Sequence, residues 1–358
     1  MEMQGTPPSF IERYFKIREK GSSVRTELLA GVTTFIAMAY ILFVNPNILA
    51  DAGIPKDAAI ASTIWIAALA SLAMGAFANY PVALAPGMGL NAFFAYYVCG
   101  VLGLHWTVAL GAVFFSGVLF LILTIGGIRQ AIINAVPRDL KLAISVGIGL
   151  FIAFIGLKGT GLIVENSATY VSLGHVTAPT TLLSLFGLLF TAALMARNVH
   201  GSILIGIFVT TVLAMALGMT PAPQGLGDIV STSLPHMGGT FGQLDLAGAW
   251  NYGLVSIIFT FTVVELFDNM GTLIGLTTKA KMVKPDGHIE NIDKALTTDA
   301  VGTMVSAVFG TSTVTSYIES AAGIAAGGRT GLTALAAGVL FLAALLFTPL
   351  IGLVPAFA

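Results

Sequence analysis

Pro81-Val-Ala-Leu-Ala-Pro86, running on into Gly87-Met-Gly-Leu-Asn91, and Thr311-Ser-Thr-Val-Thr-Ser316, running on into Tyr317-Ile-Glu319, are the two stretches that decide the fold. Both lie among apolar runs of about 20 residues, the length a helix needs to cross the hydrocarbon of a bilayer. Neither can be a continuous helix. Each proline of the first removes an amide donor and clashes with the preceding turn, and the second is β-branched and rich in hydroxyls. Each reads as an extended piece followed by half a helix. The first helix restarts at Gly87 and runs through Asn91 to Cys99, and the second starts at Tyr317. Irregular backbone survives at membrane depth only where it is buried in protein or lines a watery cavity. Two interrupted segments in matching positions of two halves point to the binding site of a transporter.

The composition agrees with a membrane setting. Of 358 residues, 56% are hydrophobic and 9% charged, whereas a soluble domain carries about 25% charged residues. The 41 glycines suit helices that pack closely in lipid. Strand-like alternation is absent, so the expected class is an all-α polytopic membrane protein. Cys99 is the single cysteine, which excludes an intramolecular disulfide. No cleavable signal peptide is read, since the first apolar run starts near Leu28 after a mostly polar leader. In that leader Phe10, Ile11, Tyr14 and Phe15 share a helical face behind a capping pair, Ser9 and Glu12. A short helix lying in the cytoplasmic membrane interface is expected there.

The predicted crossings are 28–49, 58–78, 84–99, 105–126, 141–157, 179–196, 201–219, 250–275, 295–310, 315–327 and 331–350, two of them short. With the N-terminus inside, every Lys and Arg except Lys56 and Lys158 falls on the cytoplasmic side, as the positive-inside rule requires. The stretch Met219–Ala249 carries no Lys or Arg and fits an external loop. Seven crossings precede Asn251, an odd number, so the second half starts on the opposite side and the two halves form an inverted repeat.

Four acids stand inside the spans: Glu265, Asp268, Asp299 and Glu319. Each costs at least about 2.5–3.5 kcal/mol at the bilayer centre and marks function by default. Glu265 and Asp268 share a helical face with Asn269 and Thr272, opposite Phe259, Val263, Leu266 and Met270. That polar stripe should look into a cavity; the alternative is a structural hydrogen-bond pair between helices. Glu319 stands at capping-box spacing from Ser316, so it either contacts substrate or caps its own helix. Asn91, one turn into the first half-helix, can both donate and accept. Asp299 is read either as a proton-coupling group or as a structural link. With no Lys or Arg in the interior of a span, a neutral flat molecule rich in N–H donors fits better than an anion. Carboxylates would take its N–H groups, and Phe93 or Phe94 would offer a stacking face.

At these residues the sequence resembles the nucleobase–ascorbate permease superfamily, in its AzgA-type branch of hypoxanthine, adenine and guanine permeases. The likeness is carried by Ala85-Pro-Gly-Met-Gly-Leu-Asn-Ala-Phe-Phe-Ala-Tyr96, Glu265-Leu-Phe-Asp-Asn-Met-Gly-Thr-Leu273, Thr297-Thr-Asp-Ala-Val-Gly302 and Thr311-Ser-Thr-Val-Thr-Ser-Tyr-Ile-Glu-Ser320, and it covers nearly the whole chain. The resemblance implies a 7+7 inverted-repeat fold of core and gate, transporting purine nucleobases in symport with protons. It assigns purine contacts to Asn91, Glu265 and Glu319 and a transport role to Asp268; Ser316, in the second interrupted segment, is counted as a further substrate contact. Residues 1–27 are then the cytoplasmic segment, 28–128 the first core repeat, 129–219 the first gate repeat, 220–249 an external loop and 250–350 the second core repeat. The family has fourteen spans, so 351–358 would begin a second gate half, and the expected fold is truncated after about eleven spans. A multi-pass protein of the bacterial inner membrane, forming a homodimer, completes the expectation.

Three other readings compete. Sulfate and bicarbonate carriers share the architecture, but a basic residue or hydroxyl cluster is expected at their half-helices in place of two acids. A channel does not need paired interrupted helices around a carboxylate. An intramembrane enzyme would need a motif such as G-x-S-x-G or H-E-x-x-H, which is absent. His105, His175, His200, His236 and His288 all fall at loops or span ends, so neither a metal nor another cofactor is expected.

Overall fold

The computed structural model describes residues 9–126, 137–231, 235, 237–251, 255–284 and 289–358. The 128/129 boundary between the expected core and gate segments, and His236 and His288, lie outside these residues. The chain is predominantly helical. Among the described residues six apolar helical stretches are long enough to cross a membrane: Val24–Asp51, Lys56–Ala78, Trp106–Ile125, Pro179–Ala196, Val255–Lys279 and Gly331–Gly352. Shorter apolar helices cover Met88–Val101, Val146–Gly159 and Ser202–Ala216.

Helix α1 (Phe10–Phe15) opens on the expected capping box: the Ser9 hydroxyl takes the Glu12 amide and the Glu12 carboxylate takes the Ser9 amide. Phe10, Ile11 and Tyr14 are exposed, while Phe15 turns inward to pack with Ile17 and Leu332. The first apolar stretch is broken in two, α2 (Val24–Met38) and α3 (Ile41–Asp51). Pro46, inside α3, cannot donate to the preceding turn. Just upstream the bonds Leu42 N–H to Ala39 C=O and Phe43 N–H to Tyr40 C=O tighten the chain. The break brings Tyr40 and Asn45 to the centre of the molecule.

Helix α4 (Lys56–Ala73) runs on through a wider turn, Met74–Ala78, and ends at Asn79 in the left-handed conformation. Strand β1 (Leu84–Pro86) follows, then α5 (Met88–Ala92) and a π-helical continuation, Phe93–Val101. After α6 (Trp106–Ile125) and α7 (Arg138–Gly159), strands β2 (Ile163–Asn166) and β3 (Tyr170–Leu173) form an antiparallel hairpin. This hairpin corrects the strand-free expectation. β-branched Ile163, Val164 and Val171 flank a turn in which the Asn166 side chain takes the Ala168 and Thr169 amides. The run is too short to register as alternation. Next come α8 (Pro179–Ala196), α9 (Ser202–Ala216), α10 (Leu246–Asn251), α11 (Val255–Lys279) and α12 (Ile292–Phe309). Strand β4 (Val314–Ser316), α13 (Ser320–Ala325), α14 (Gly331–Ala344) and α15 (Thr348–Gly352) complete the chain.

Small residues set the close packing. Gly75 and Gly331 each press on the other's backbone, and a Cβ at either would collide with the partner's carbonyl. Helix α12 lies along α6, and α14 packs against both α2 and α4. The start of α14 is held by a buried side chain. The Glu27 carboxylate accepts the Arg329 amide at 2.9 Å, the Thr330 amide at 3.2 Å and the Thr333 hydroxyl. An acid facing the unpaired amides of a helix start satisfies them and suits the helix dipole.

Candidate functional site

The two interrupted segments meet. Strands β1 and β4 pair antiparallel, with Leu84 opposite Ser316, Ala85 opposite Thr315 and Pro86 opposite Val314. Because the strands run in opposite directions, the helices that follow them leave in opposite directions from one shared centre. The first helix begins at Met88, capped by Gly87, close to the expected position. The second begins at Ser320, three residues later than expected, with Glu319 as its cap residue.

The backbone of this crossing is satisfied from within. Gly87 N–H donates to Thr313 C=O at 2.8 Å and Tyr317 N–H to Ala83 C=O at 3.1 Å. Side chains complete the set. Ser71 Oγ bridges the Leu84 amide and carbonyl, Ser320 Oγ takes the Ala83 amide, Thr303 Oγ1 the Val314 amide, and Asn269 Oδ1 the Ser316 amide. Tyr317 donates its hydroxyl to Pro86 C=O at 2.6 Å. An unpaired backbone group at membrane depth costs several kcal/mol, and here each of these amides has a partner.

Around the crossing stand the residues singled out from sequence. Glu265, on α11, is fully buried; its Oε1 accepts the Thr303 hydroxyl and its Oε2 has no partner within the chain. Asp268, one turn on, is exposed along the same helix and accepts the Thr315 hydroxyl at 3.4 Å. Asp299, on α12, is fully buried with Asn269 beside it as the neighbouring donor. Neither carboxyl oxygen of Asp299 reaches hydrogen-bond geometry. Asn91 is fully buried, donates its amide to Asn45 Oδ1, and leaves its own Oδ1 unpartnered. Glu319 is half-buried and accepts the Tyr40 hydroxyl at 2.6 Å. Ser316 Oγ is buried and unpartnered.

One alternative falls away and one expectation needs correction. Ser316 and Glu319 do not form a capping box, because the helix starts too late for Ser316 to be its cap, and Glu319 makes no side-chain cap bond. Phe94 offers no stacking face. It is fully buried in an apolar cluster with Leu49, Ala109 and Phe261. Phe93 is only partly buried, stacked on Tyr97 with centroids 5.1 Å apart and meeting Phe261 edge-on at 5.1 Å. Phe261 lies one turn before Glu265, so Phe93 is the aromatic on the polar face.

Sequence reading missed Tyr40, Asn45, Thr303 and the buried Glu27. The first three are neutral polar residues within apolar runs, Tyr40 at the break between α2 and α3 and the other two inside helices, and each positions an assigned side chain. Their signal was their depth, since a buried polar group needs a partner. Glu319 also borders a cavity of about 350 Å³ lined by Ala37, Asn198, His200 and Ser202, within the ~300–1,000 Å³ of small-molecule sites. An apolar groove of about 410 Å³ between the Ile66–Phe77 and Thr297–Val305 faces shares none of the assigned side chains. Among the described residues no three His, Cys, Asp or Glu side chains group closely enough to hold a metal.

Two interrupted segments crossing at the centre of an apolar helical protein, ringed by carboxylates and an amide, define a multi-pass membrane protein built like a secondary transporter. The profile of the permease family, that of the nucleobase–ascorbate transporters, matches residues 25–358, and the chain belongs to this family. It is 46% identical to an adenine permease of Escherichia coli over 99% of this chain and 79% of that one. It is 42% identical to a guanine/hypoxanthine permease of Bacillus subtilis over 94% of this chain and 78% of that one. Among solved structures it is similar to the transmembrane domain of a cyanobacterial bicarbonate transporter, with a TM-score of 0.68 and 16% identity over 93% of this chain and 85% of that one. That likeness establishes a shared fold alone.

Proposed function

We propose that the protein imports purine nucleobases (adenine, guanine and hypoxanthine) by secondary active transport in symport with protons. The observation that carries the reading is the set of acceptors at the strand crossing. Asn91 Oδ1 and Glu265 Oε2 are buried and unpartnered, Glu319 stands nearby at the second half-helix start, and among the described residues no Lys or Arg joins their hydrogen-bond network. A neutral heterocycle brings N–H donors to such acceptors, and Phe93 supplies a ring face. The names of the relatives support the same substrate class. An anion would meet carboxylates and, among the described residues, no hydrogen-bonded cation there, which opposes the bicarbonate-type reading despite the shared fold. Asp268 and Asp299 are the proposed proton carriers. In this reading residues 28–128 and 250–350 form the core and 129–219 belong to the gate. The N-terminus is cytoplasmic, and the membrane is the bacterial inner membrane.

The test is radiolabelled uptake into proteoliposomes with adenine, guanine, hypoxanthine and uracil, joined to calorimetric titration of Glu265→Gln, Glu319→Gln and Asn91→Ala. Saturable purine uptake, with binding abolished or sharply weakened in each variant, is expected. Unchanged affinity in all three variants would remove the site assignment.

A further inference from the structure

The Asn91 amide has a fixed polarity, and the fixing can be traced residue by residue. Thr63 Oγ1 lies 2.6 Å from Ala59 C=O, one turn back on α4. A backbone carbonyl can only accept, so the Thr63 hydroxyl hydrogen is committed there and Thr63 faces Asn45 as an acceptor. Asn45 must therefore turn its NH2 toward Thr63, at 2.8 Å, and toward Thr311 Oγ1, at 3.3 Å. Its carbonyl is left facing Asn91, which answers with its own NH2. Turning the Asn91 amide over would put its carbonyl against the Asn45 carbonyl, two acceptors face to face. Turning the Asn45 amide over would put its carbonyl against the Thr63 lone pairs. Asn45, Thr63, Asn91 and Thr311 are all fully buried, so water cannot relieve either mismatch. The sole unpartnered side-chain atom of this chain of bonds is Asn91 Oδ1.

We propose that Asn45, anchored by Thr63, is a positioning residue that locks Asn91 as an acceptor and thereby sets the discrimination between 6-amino and 6-oxo purines. The inference rests on the purine reading given above. The chemistry is that the two purine classes present inverse edges. A 6-amino purine offers an NH2 donor at C6 and an acceptor at N1; a 6-oxo purine offers an acceptor at O6 and an N1–H donor. An amide free to turn over serves either edge equally well. With the C6 position set against it, an amide locked as an acceptor holds the 6-amino group and meets O6 of a 6-oxo purine as two acceptors face to face, the kind of mismatch from which large selectivities arise.

The experiment is competition binding of adenine against hypoxanthine to the purified full-length chain in lipid nanodiscs, for the parent and four variants. Asn45→Leu and Thr63→Val release the Asn91 amide, and the adenine-to-hypoxanthine affinity ratio is expected to move toward one by about tenfold. Thr63→Ser keeps the hydroxyl and should retain the parent ratio; Asn45→Asp sets a carboxylate oxygen against the Thr63 lone pairs and should lower stability, but it keeps an acceptor facing Asn91 and so should retain the ratio too. A merely structural role would weaken both ligands in parallel and leave the ratio fixed in all four. Such a fixed ratio, or a parent ratio near one, overturns the inference while leaving purine transport standing. No purine binding by the parent overturns both. Should Asn45→Leu fail to fold, Thr63→Val against Thr63→Ser carries the same comparison one residue further from the site.

Discussion

Removing one hydroxyl, Tyr40→Phe, tests whether Glu319 is held for a ligand. The Tyr40 hydroxyl lies 2.6 Å from Glu319 Oε1, a short hydrogen bond to a carboxylate. Bonds to charged groups contribute about 1.5–3 kcal/mol. Glu319 is half-buried, so water can replace part of what is lost and the lower end of that range applies. A loss of ~1.5 kcal/mol is about a tenfold weakening, since 1.4 kcal/mol corresponds to a factor of ten. The Tyr40 ring is buried in the cluster of Met38, Ile41 and Phe341 and is kept in the variant, so folding should be little affected. The assay is calorimetric titration with adenine of the parent, Tyr40→Phe, Glu319→Gln and the double variant. If Tyr40 acts through Glu319, Tyr40→Phe adds little on the Glu319→Gln background, and the cycle shows a coupling above ~0.5 kcal/mol. Unchanged affinity in Tyr40→Phe, or strictly additive losses, would refute the argument that this bond orients the carboxylate.

Three further outcomes are expected. Asp268→Asn should keep purine binding and lose accumulation driven by an imposed pH gradient in vesicles; if it still concentrates purine in step with the gradient, Asp299 becomes the carrier, and Asp299→Asn is the next variant to assay. Glu27→Ala leaves the buried Arg329 and Thr330 amides without their acceptor, at about 1–3 kcal/mol for each unpaired group; a clear fall in the thermal midpoint is expected, with Glu27→Gln between the two, and an unchanged midpoint would refute the capping role. The Ser9 amide and the Arg18 guanidinium hold the exposed Glu12 carboxyl below its usual range. A depressed folded value gives stabilisation that is present above the ordinary glutamate pKa and lost as pH falls through the lowered one. The α1 cap should therefore loosen only on acidification, read from amide exchange at residues 10–15, and Glu12→Gln should abolish that pH dependence.

Much of the architecture was legible because membranes impose simple rules. Span length and proline placement pointed to an apolar helical chain with two interruptions that meet, and the cost of buried acids singled out Glu265, which is fully buried. What escaped depends on partners far apart in the chain. Tyr40 meets Glu319 and Asn45 meets Thr311 across 279 and 266 residues, and a lone tyrosine or asparagine in an apolar run carries no mark of its partner. Phe93 and Phe94 are neighbours whose side chains leave the helix in different directions, and spacing alone does not say which of them faces inward. Glu27 was assigned to the polar leader because it sits just before the first apolar run, yet its carboxylate is wholly buried.

The hydroxyl-rich segment Thr311–Ser316 shows where composition misleads. Read alone, its side chains look like a substrate lining, but the crossing strands first have to satisfy their own amides. Thr303, Asn269, Ser71 and Ser320 do that from neighbouring elements. Thr303 serves twice, taking the Val314 amide while giving its hydrogen to Glu265, so the same side chain that holds the strand fixes one carboxylate oxygen and leaves the other free. The scaffold and the site are thus one hydrogen-bond network. A substitution such as Thr303→Val, nearly equal in volume, therefore removes a backbone partner and a carboxylate donor together, and no substitution at Thr303 separates folding from binding. The Asn45–Thr63 relay touches the crossing segment only through the 3.3 Å bond to Thr311 Oγ1 and holds none of its backbone amides, which is why selectivity can be probed there with the strand pairing kept.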